Sequence, residues 1–399
     1  MKNNYPDFTS ADFLKAHIRT TLAFYEPGVF AKEGGFYGCF LDDGTCYDPH
    51  SRQLVASARY VLNYAIAYKS GGVPKYKSWA EWGLDYLQNV HRQDNGHYAW
   101  LIESGVITDR RVMAYGHAFV LLAAATCVKA GITRASRIMD DVYDFLERYF
   151  WDEKAGAYFD ERNDTLDTLS PYRGQNANMH MCEALLAAHQ ASGNNKYLDR
   201  AERLANKFAF DLAAQSGGQI WEHYDSDWNV DMNFNIGKPN DRYKPWGFQP
   251  GHQTEWAKLL LILNETRPNE KWAARARALY DKALATGWDN EFGGIAYGVA
   301  PDGTFCASEK YFWVQSESFA AAWRLYIATG DEKYRDDYNR IWQWSWDHMI
   351  DHEYGAWFRV RGRSGAAIDN KKSPFGKTDY HTMGACWDVL SSHDAGTFS

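Results

Sequence analysis

The chain has 399 residues, 45% of them hydrophobic and 24% charged, which is the profile of a folded protein with a sizeable core and excludes a disordered one. Lys and Arg number 43 against 51 Asp and Glu, and the resulting net charge of −8 offers no footprint for nucleic acid or an anionic membrane. The longest apolar stretch, residues 118–128, is too short to span a bilayer.

The opening residues, Met1-Lys2-Asn3-Asn4-Tyr5-Pro6-Asp7, lack the apolar segment of a signal peptide. Six cysteines lie far apart with no Cys-x-x-Cys, so a reducing cytoplasm is the expected compartment. A first amphipathic helix is expected over residues 11–25. Then comes the first of six short segments with one pattern: glycine, alternating aromatic or apolar residues, and polar turn residues. Their reference glycines are Gly35, Gly96, Gly156, Gly218, Gly294 and Gly355, at intervals of 61, 60, 62, 76 and 61 residues. Each segment reads as a small β-hairpin, and each interval leaves room for two helices.

Between these segments the apolar residues recur at helical spacing, as in Leu54, Ala58, Val61, Leu62, Ala65 and Ile66. Breaks at Gly71-Gly72, Gly131, Gly193, Pro268 and Gly330 would end the first helix of each pair. A last helix is expected over 379–390. An open solenoid would carry polar capping repeats, whereas these terminal helices can bury their apolar faces only against each other. The expected fold is therefore all-α: an (α/α)6 barrel of six helical hairpins closed into a ring, in one domain over residues 1–399. The one long interval carries a surplus of about 15 residues within 230–248, which reads as a lid over the mouth of the barrel.

The first helix of each pair should line the ring, and each carries a conspicuous polar residue at similar depth. Arg59, His117, His180, Glu317 and His381 lie 24, 21, 24, 23 and 26 residues beyond their reference glycines. In the fourth repeat His252 and Glu255 lie 34 and 37 beyond, and fall into line once the surplus is removed. Like depth means convergence on one cavity at helix N-termini, where backbone N–H groups favour developing negative charge. Imidazoles move protons near neutral pH, and Arg59 offers a fixed fork of donors to a charged oxygen. Glu255, one turn after His252, would hold that ring's orientation or raise its pKa. This is a proton-transfer site, with no phosphate loop, dinucleotide fingerprint or nucleophile elbow. A metal held by His252 and Glu255 is the rival reading, opposed by Arg59 at the same depth. His348 and His352 read as helix C-terminal cations, and His91, His97, His189 and His223 as structural.

At these same positions the chain resembles the N-acylglucosamine 2-epimerase superfamily, and within it the bacterial aldose–ketose isomerases. The resemblance is carried by Tyr172-Arg173-Gly174-Gln175-Asn176-Ala177-Asn178-Met179-His180 with Glu183, and by Pro250-Gly251-His252 with Glu255-Trp256. Trp313 with Glu317, Asp379-Tyr380-His381, Ala58-Arg59, Tyr115 and His117 complete it. Gln175, in place of glycine, and Val314-Gln315, in place of a proline-containing pair, depart from the isomerase pattern. The resemblance implies an (α/α)6 barrel that interconverts D-mannose and D-fructose, with D-lyxose and D-xylulose as a related pair, through a cis-enediol. It implies no metal and no nicotinamide or other cofactor. His252 and His381 would be the acid/base pair, with Arg59, His180 and Glu255 assisting the chemistry. Asn176, Tyr115, His117, Trp313 and Glu317 would bind the sugar. The expected partner is a monosaccharide, taken as neutral because no Lys/Arg cluster is evident in the sequence, with no nucleic acid and no membrane. The chain could act as a monomer or a homo-oligomer. A sugar 2-epimerase of the N-acetylglucosamine or cellobiose type is the nearest alternative. A glycoside hydrolase using Glu255 and Glu317, or a non-catalytic sugar sensor, are the others.

Overall fold

The computed structural model describes residues 5–395; the two ends of the expected 1–399 domain, 1–4 and 396–399, lie outside the described residues. Twelve α-helices follow one another as α1 (Ala11–Tyr25), α2 (Leu54–Gly71), α3 (Pro74–Tyr86), α4 (Ala114–Lys129), α5 (Ala135–Tyr149) and α6 (Gln175–Ser192). The second half comprises α7 (Asn195–Asn206), α8 (Pro250–Thr266), α9 (Glu270–Gly287), α10 (Phe312–Thr329), α11 (Glu332–His348) and α12 (Tyr380–Ala395). The even-numbered helices form an inner ring, each packed on the next, and α12 closes it against α2. Each of α3, α5, α7, α9 and α11 packs outside the helix it follows, and α1 backs α12. The chain ends thus supply the sixth pair, as expected from two otherwise unpartnered helices. None of the described helices is long and apolar enough to cross a membrane.

Composition separates the two rings. In α2 every residue from Leu54 to Ala67 is buried, because an inner helix has neighbours on all sides. In the outer α5 the buried residues are Ala135, Ile138, Met139, Val142, Tyr143, Phe145 and Leu146, a single stripe facing α4.

The six reference glycines all have positive φ, from 71° at Gly35 and Gly294 to 92° at Gly96. That left-handed backbone strains any residue with a Cβ, which is why glycine recurs at every repeat. Short antiparallel bridges flank five of them: Phe30 with Phe36, Arg92 with Tyr98, Trp151 with Tyr158, Trp288 with Ile295, and Ile350 with Trp357. At Gly218 the chain instead leaves α7 through a π-turn and a 3-10 turn. A second set of short strands joins neighbouring repeats into a collar at the barrel mouth. Examples are Ser51–Gln53 on Leu101–Glu103, and Arg173–Gly174 on His223–Tyr224.

The fourth residue of an inner helix braces a hairpin. Asn178, Gln253 and Gln315 each accept the backbone N–H of Tyr158, Ile220 and Ile295, at 2.7, 2.9 and 2.9 Å, and donate back to the same residue's carbonyl. His117 occupies this position in α4, where its Nε2 accepts the Tyr98 N–H at 3.1 Å. These bonds satisfy buried backbone groups that no strand pairs, and they set each hairpin against the start of its inner helix.

Candidate active site

The inner helices point their N-termini at a cavity of about 320 Å³ at the mouth of the ring. Two tiers of side chains build it. The second residues of α4, α6, α10 and α12 are Tyr115, Asn176, Trp313 and His381, and with His252, third in α8, they form the wall. The sixth residues of α2 and α6, Arg59 and His180, form the floor. Glu255 and Glu317, sixth in α8 and α10, lie behind that floor, fully buried. A tier spacing of four is one helical turn, so both tiers share one face of each helix.

His381 donates its Nδ1 proton to Glu317 Oε1 at 2.7 Å, since a carboxylate only accepts. Burial pushes the imidazole down to about 3, against the pull of Glu317. A neutral ring with its proton on Nδ1 leaves the Nε2 lone pair free, and Nε2 lies 3.5 Å from Arg59 Nη2. Burial opposes ionisation of Glu317, but Lys258 and His381 outweigh it and hold the carboxyl at about 2. Arg59 is fixed by Tyr115 Oη at 3.1 Å and by the Gly376 carbonyl, and it lies over the rings of Phe119 and Tyr380.

The second imidazole is held differently from expectation. His252 Nδ1 lies 2.9 Å from Glu222 Oε1 and 2.9 Å from the Gln175 amide. Gln175 is itself fixed, donating to Glu222 Oε2 at 2.9 Å and accepting from Trp256 Nε1 at 2.8 Å. Glu255 does not orient His252. It faces His180 Nδ1 at 3.7 Å, and neither of its oxygens has a hydrogen-bond partner. Burial and the neighbouring Glu317 raise it well above the ordinary carboxyl range, so it stands as a neutral acid. His180 instead bonds Glu183 Oε2 at 3.1 Å, and Tyr380 Oη donates to the same carboxyl. Burial lowers the His180 imidazole, with Glu183 opposing.

Trp313 separates the two bases, its ring centroid 4.8 Å from His252 and 5.8 Å from His381. Asn176 Oδ1 is buried without a partner. The cavity is therefore walled by an indole face and an unmet amide oxygen, with two oriented imidazoles on either side.

Three further expectations need correction. His117 does not line the cavity: its nitrogens are spent on the Tyr98 N–H and, at 2.8 Å, the Met113 carbonyl. Its interval of 21 from Gly96 was the signal, since it matches Gln315, at 21 from Gly294, and not His180 at 24. Glu317 does not face the sugar cavity but holds His381. The lining also carries Arg59, Arg242, Arg359 and Lys377 and, among the described residues, no carboxylate, so the expected lack of a basic cluster is overturned. Arg359 pairs with Asp369 at 2.6 Å and Lys377 with Asp379 at 2.5 Å.

Sequence reading missed Glu222 and Lys258. Glu222 sits on the fourth hairpin segment, outside the inner-helix counts. Lys258 was visible as a lone charge in the apolar run of α8. His252 and Glu255 do not form the ligand pair of the rival metal reading. Two other donor sets do approach within 4.8 Å: His180, Glu183 and Glu255, and Glu255, Glu317 and His381. Lys258 and Arg59 stand against both. The lid segment 230–248 is irregular throughout; Tyr243 Oη accepts from Gln53 Nε2 at 2.8 Å, and the Pro245 carbonyl meets His223 Nε2 at 2.8 Å.

Six closed helix pairs with oriented imidazoles at the inner N-termini define an (α/α)6 barrel built for proton transfer. The chain belongs to the N-acylglucosamine 2-epimerase (GlcNAc 2-epimerase) family, whose model matches residues 35–385. It is 50% identical over 390 residues to the D-mannose isomerase of Marinomonas mediterranea, covering 98% of this chain and 99% of that protein. It is 34% identical to the D-mannose isomerase of Thermobifida fusca over 72% of each chain. A crystal structure of D-mannose isomerase superposes with a TM-score of 0.96 at 49% identity, covering 98% of this chain and 100% of that one.

Proposed function

We propose that this chain is a sugar isomerase that interconverts D-mannose and D-fructose, with D-lyxose and D-xylulose as a second pair, as one catalytic domain in the cytoplasm. The observation that carries the reading is His381, neutral, with its proton held on Nδ1 by Glu317 and its Nε2 lone pair beside Arg59. Similarity to two D-mannose isomerases over most of the chain supports the choice of sugar.

After ring opening, His381 Nε2 takes the proton from C2 of the open-chain aldose. The electron pair forms the C1=C2 bond of a cis-enediol, and charge developing on the carbonyl oxygen meets the Arg59 guanidinium, while His180, its Nδ1 proton held by Glu183, offers an acceptor nitrogen to a sugar hydroxyl. His252, held by Glu222, which Gln175 in turn fixes, moves the hydroxyl proton from O2 towards O1 and serves O5 in ring opening. His381 then returns its proton to C1, giving the ketose. Tyr115, Asn176 and Trp313 hold the sugar, the indole against its ring face.

Epimerisation at C2 needs a base on each face of that carbon, and the placement of both imidazoles on the cavity keeps this second reading chemically open. Incubation with D-mannose in D₂O, followed by chromatography and NMR of the products, tests both. Fructose labelled at C1 is the expected product. Glucose labelled at C2 would establish the epimerase, and unlabelled fructose would show a hydride shift instead of proton transfer. Release of a free sugar from a glycoside would favour the hydrolase.

A further inference from the structure

Behind the catalytic floor lies a second cavity, of about 120 Å³, between the inner helices on the side away from the mouth. Lys258, Glu183, Glu317, Tyr380 and Gly384 line it. Lys258 is only 6% exposed, and its Nζ pairs with Glu317 Oε2, the oxygen not used by His381. A continuous line therefore runs from the second cavity through Lys258 and Glu317 to His381, and from His381 Nε2 to the sugar cavity.

We propose that Lys258 is a positioning residue for the isomerisation, which keeps Glu317 an acceptor and so holds the His381 proton on Nδ1. The inference rests on His381 being the base. The charges facing Lys258 make the case. Glu183 from α6, Glu255 from α8, Glu317 from α10 and Asp388 from α12 all act on it, and together they outweigh burial and raise its pKa. Asp388 is satisfied by Arg324. The three glutamates then face two cations, Lys258 and Arg59. With Glu255 protonated, the floor is neutral. Removing Lys258 leaves two carboxylates and one cation in a buried site, so Glu317 takes up a proton. A protonated Glu317 donates a hydrogen bond and no longer requires one. The imidazole can then carry its proton on Nε2, where the base is lost.

The test uses the full chain with ¹⁵N-labelled histidine. In the wild type, His381 should show a protonated Nδ1 and an unprotonated Nε2. In Lys258→Met at neutral pH the Nε2-protonated form should appear. This readout needs no turnover, so it succeeds or fails separately from the assigned reaction. With D-mannose, Lys258→Met should lose about 10²–10⁴-fold in kcat with KM little changed, as for a base held in the wrong tautomer. The loss should shrink as pH rises, because Glu317 ionises again; a merely structural defect has no such limb. Lys258→Ala opens the vacated space to the second cavity, and ethylammonium should restore activity saturably there but not in Lys258→Met. If Lys258→Met does not fold, Lys258→Arg carries the test: the cation persists, so the Nδ1-protonated form should persist too. An unchanged tautomer and kcat in Lys258→Met, or an Nε2-protonated His381 in Lys258→Arg, overturns the proposal.

Discussion

His252 donates its Nδ1 proton to Glu222 Oε1 at 2.9 Å, across from the fourth hairpin segment, and not to Glu255 one turn later on its own helix. The side chain of Glu255 leans instead towards His180 and the floor. Glu222→Gln should therefore lower kcat by about 10²-fold, the scale of a misdirected acid/base group, while KM changes little. The amide can still accept from Nδ1 but carries no charge to stabilise an imidazolium. Steady-state kinetics on D-mannose check it. A loss confined to KM would mean that Glu222 binds sugar and does not steer His252.

His117 should govern stability and leave catalysis alone. His117→Ala strands the buried Tyr98 N–H, at a cost of about 1–3 kcal/mol, and opens a void beside Phe145. His117→Gln should recover much of that, because Gln253 and Gln315 make the same brace in other repeats. Thermal melts report the stability, and kcat in both variants should match wild type at a temperature where each is folded.

The same buried imidazoles make the fold acid-sensitive. Burial pushes His17, His91 and His117 down to about 4, and His381 to about 3. Between those values and the unfolded value near 6.5, the unfolded chain binds more protons, so stability rises with pH through this window. The contribution is complete above about pH 6.5 and is lost as pH falls towards 4. The low pKa of Glu317 acts mainly below this range, as pH falls from the ordinary carboxyl value of 4.5 towards about 2. The raised carboxyls of Asp160 and Glu255 act in the opposite sense over the same window, so the histidine contribution is read as a difference: melting temperature should rise less between about pH 4.5 and 6.5 in His117→Gln than in the wild type. An identical pH dependence in His117→Gln and wild type would mean that folding leaves the proton affinity of His117 unchanged.

Chelation separates imidazole chemistry from a metal at the two donor sets that share Glu255. Activity should survive exhaustive EDTA, because Arg59 supplies the charge stabilisation that a Lewis acid would otherwise provide. Activity lost with chelator and restored by a divalent ion would replace the mechanism.

The segment 230–248 should gain hydrogen-exchange protection when sugar binds, since Arg242 and Tyr243 line the cavity yet are exposed. Tyr243→Phe removes the oxygen that Gln53 bonds and should raise KM for D-mannose more than it lowers kcat. Equal exchange with and without sugar would leave the segment a fixed wall.

Much of the architecture was legible along the chain because it repeats. Glycine recurs where a left-handed turn demands it, and apolar spacing of 3.6 marks helices without reference to anything distant. Two amphipathic helices at the ends, with no partner between them, imply closure of the ring. The convergence of Arg59, His180, His252 and His381 on one cavity followed from the same period, although they fall in two tiers and not at one depth. What the period could not decide was which way a side chain turns and what meets it. His117 and His180 differ by half a helical turn, enough to send one to a hairpin and the other to the cavity. Glu222 reaches His252 from a hairpin, and Lys258 reaches Glu317 from α8 to α10, helices that only the packing of successive repeats makes neighbours. Arg242, Arg359 and Lys377 come together from loops far apart in sequence. Local periodicity is set by backbone geometry and is written in every repeat; pairings between repeats depend on ring closure and on the charge balance of a buried floor, and these exist only in three dimensions.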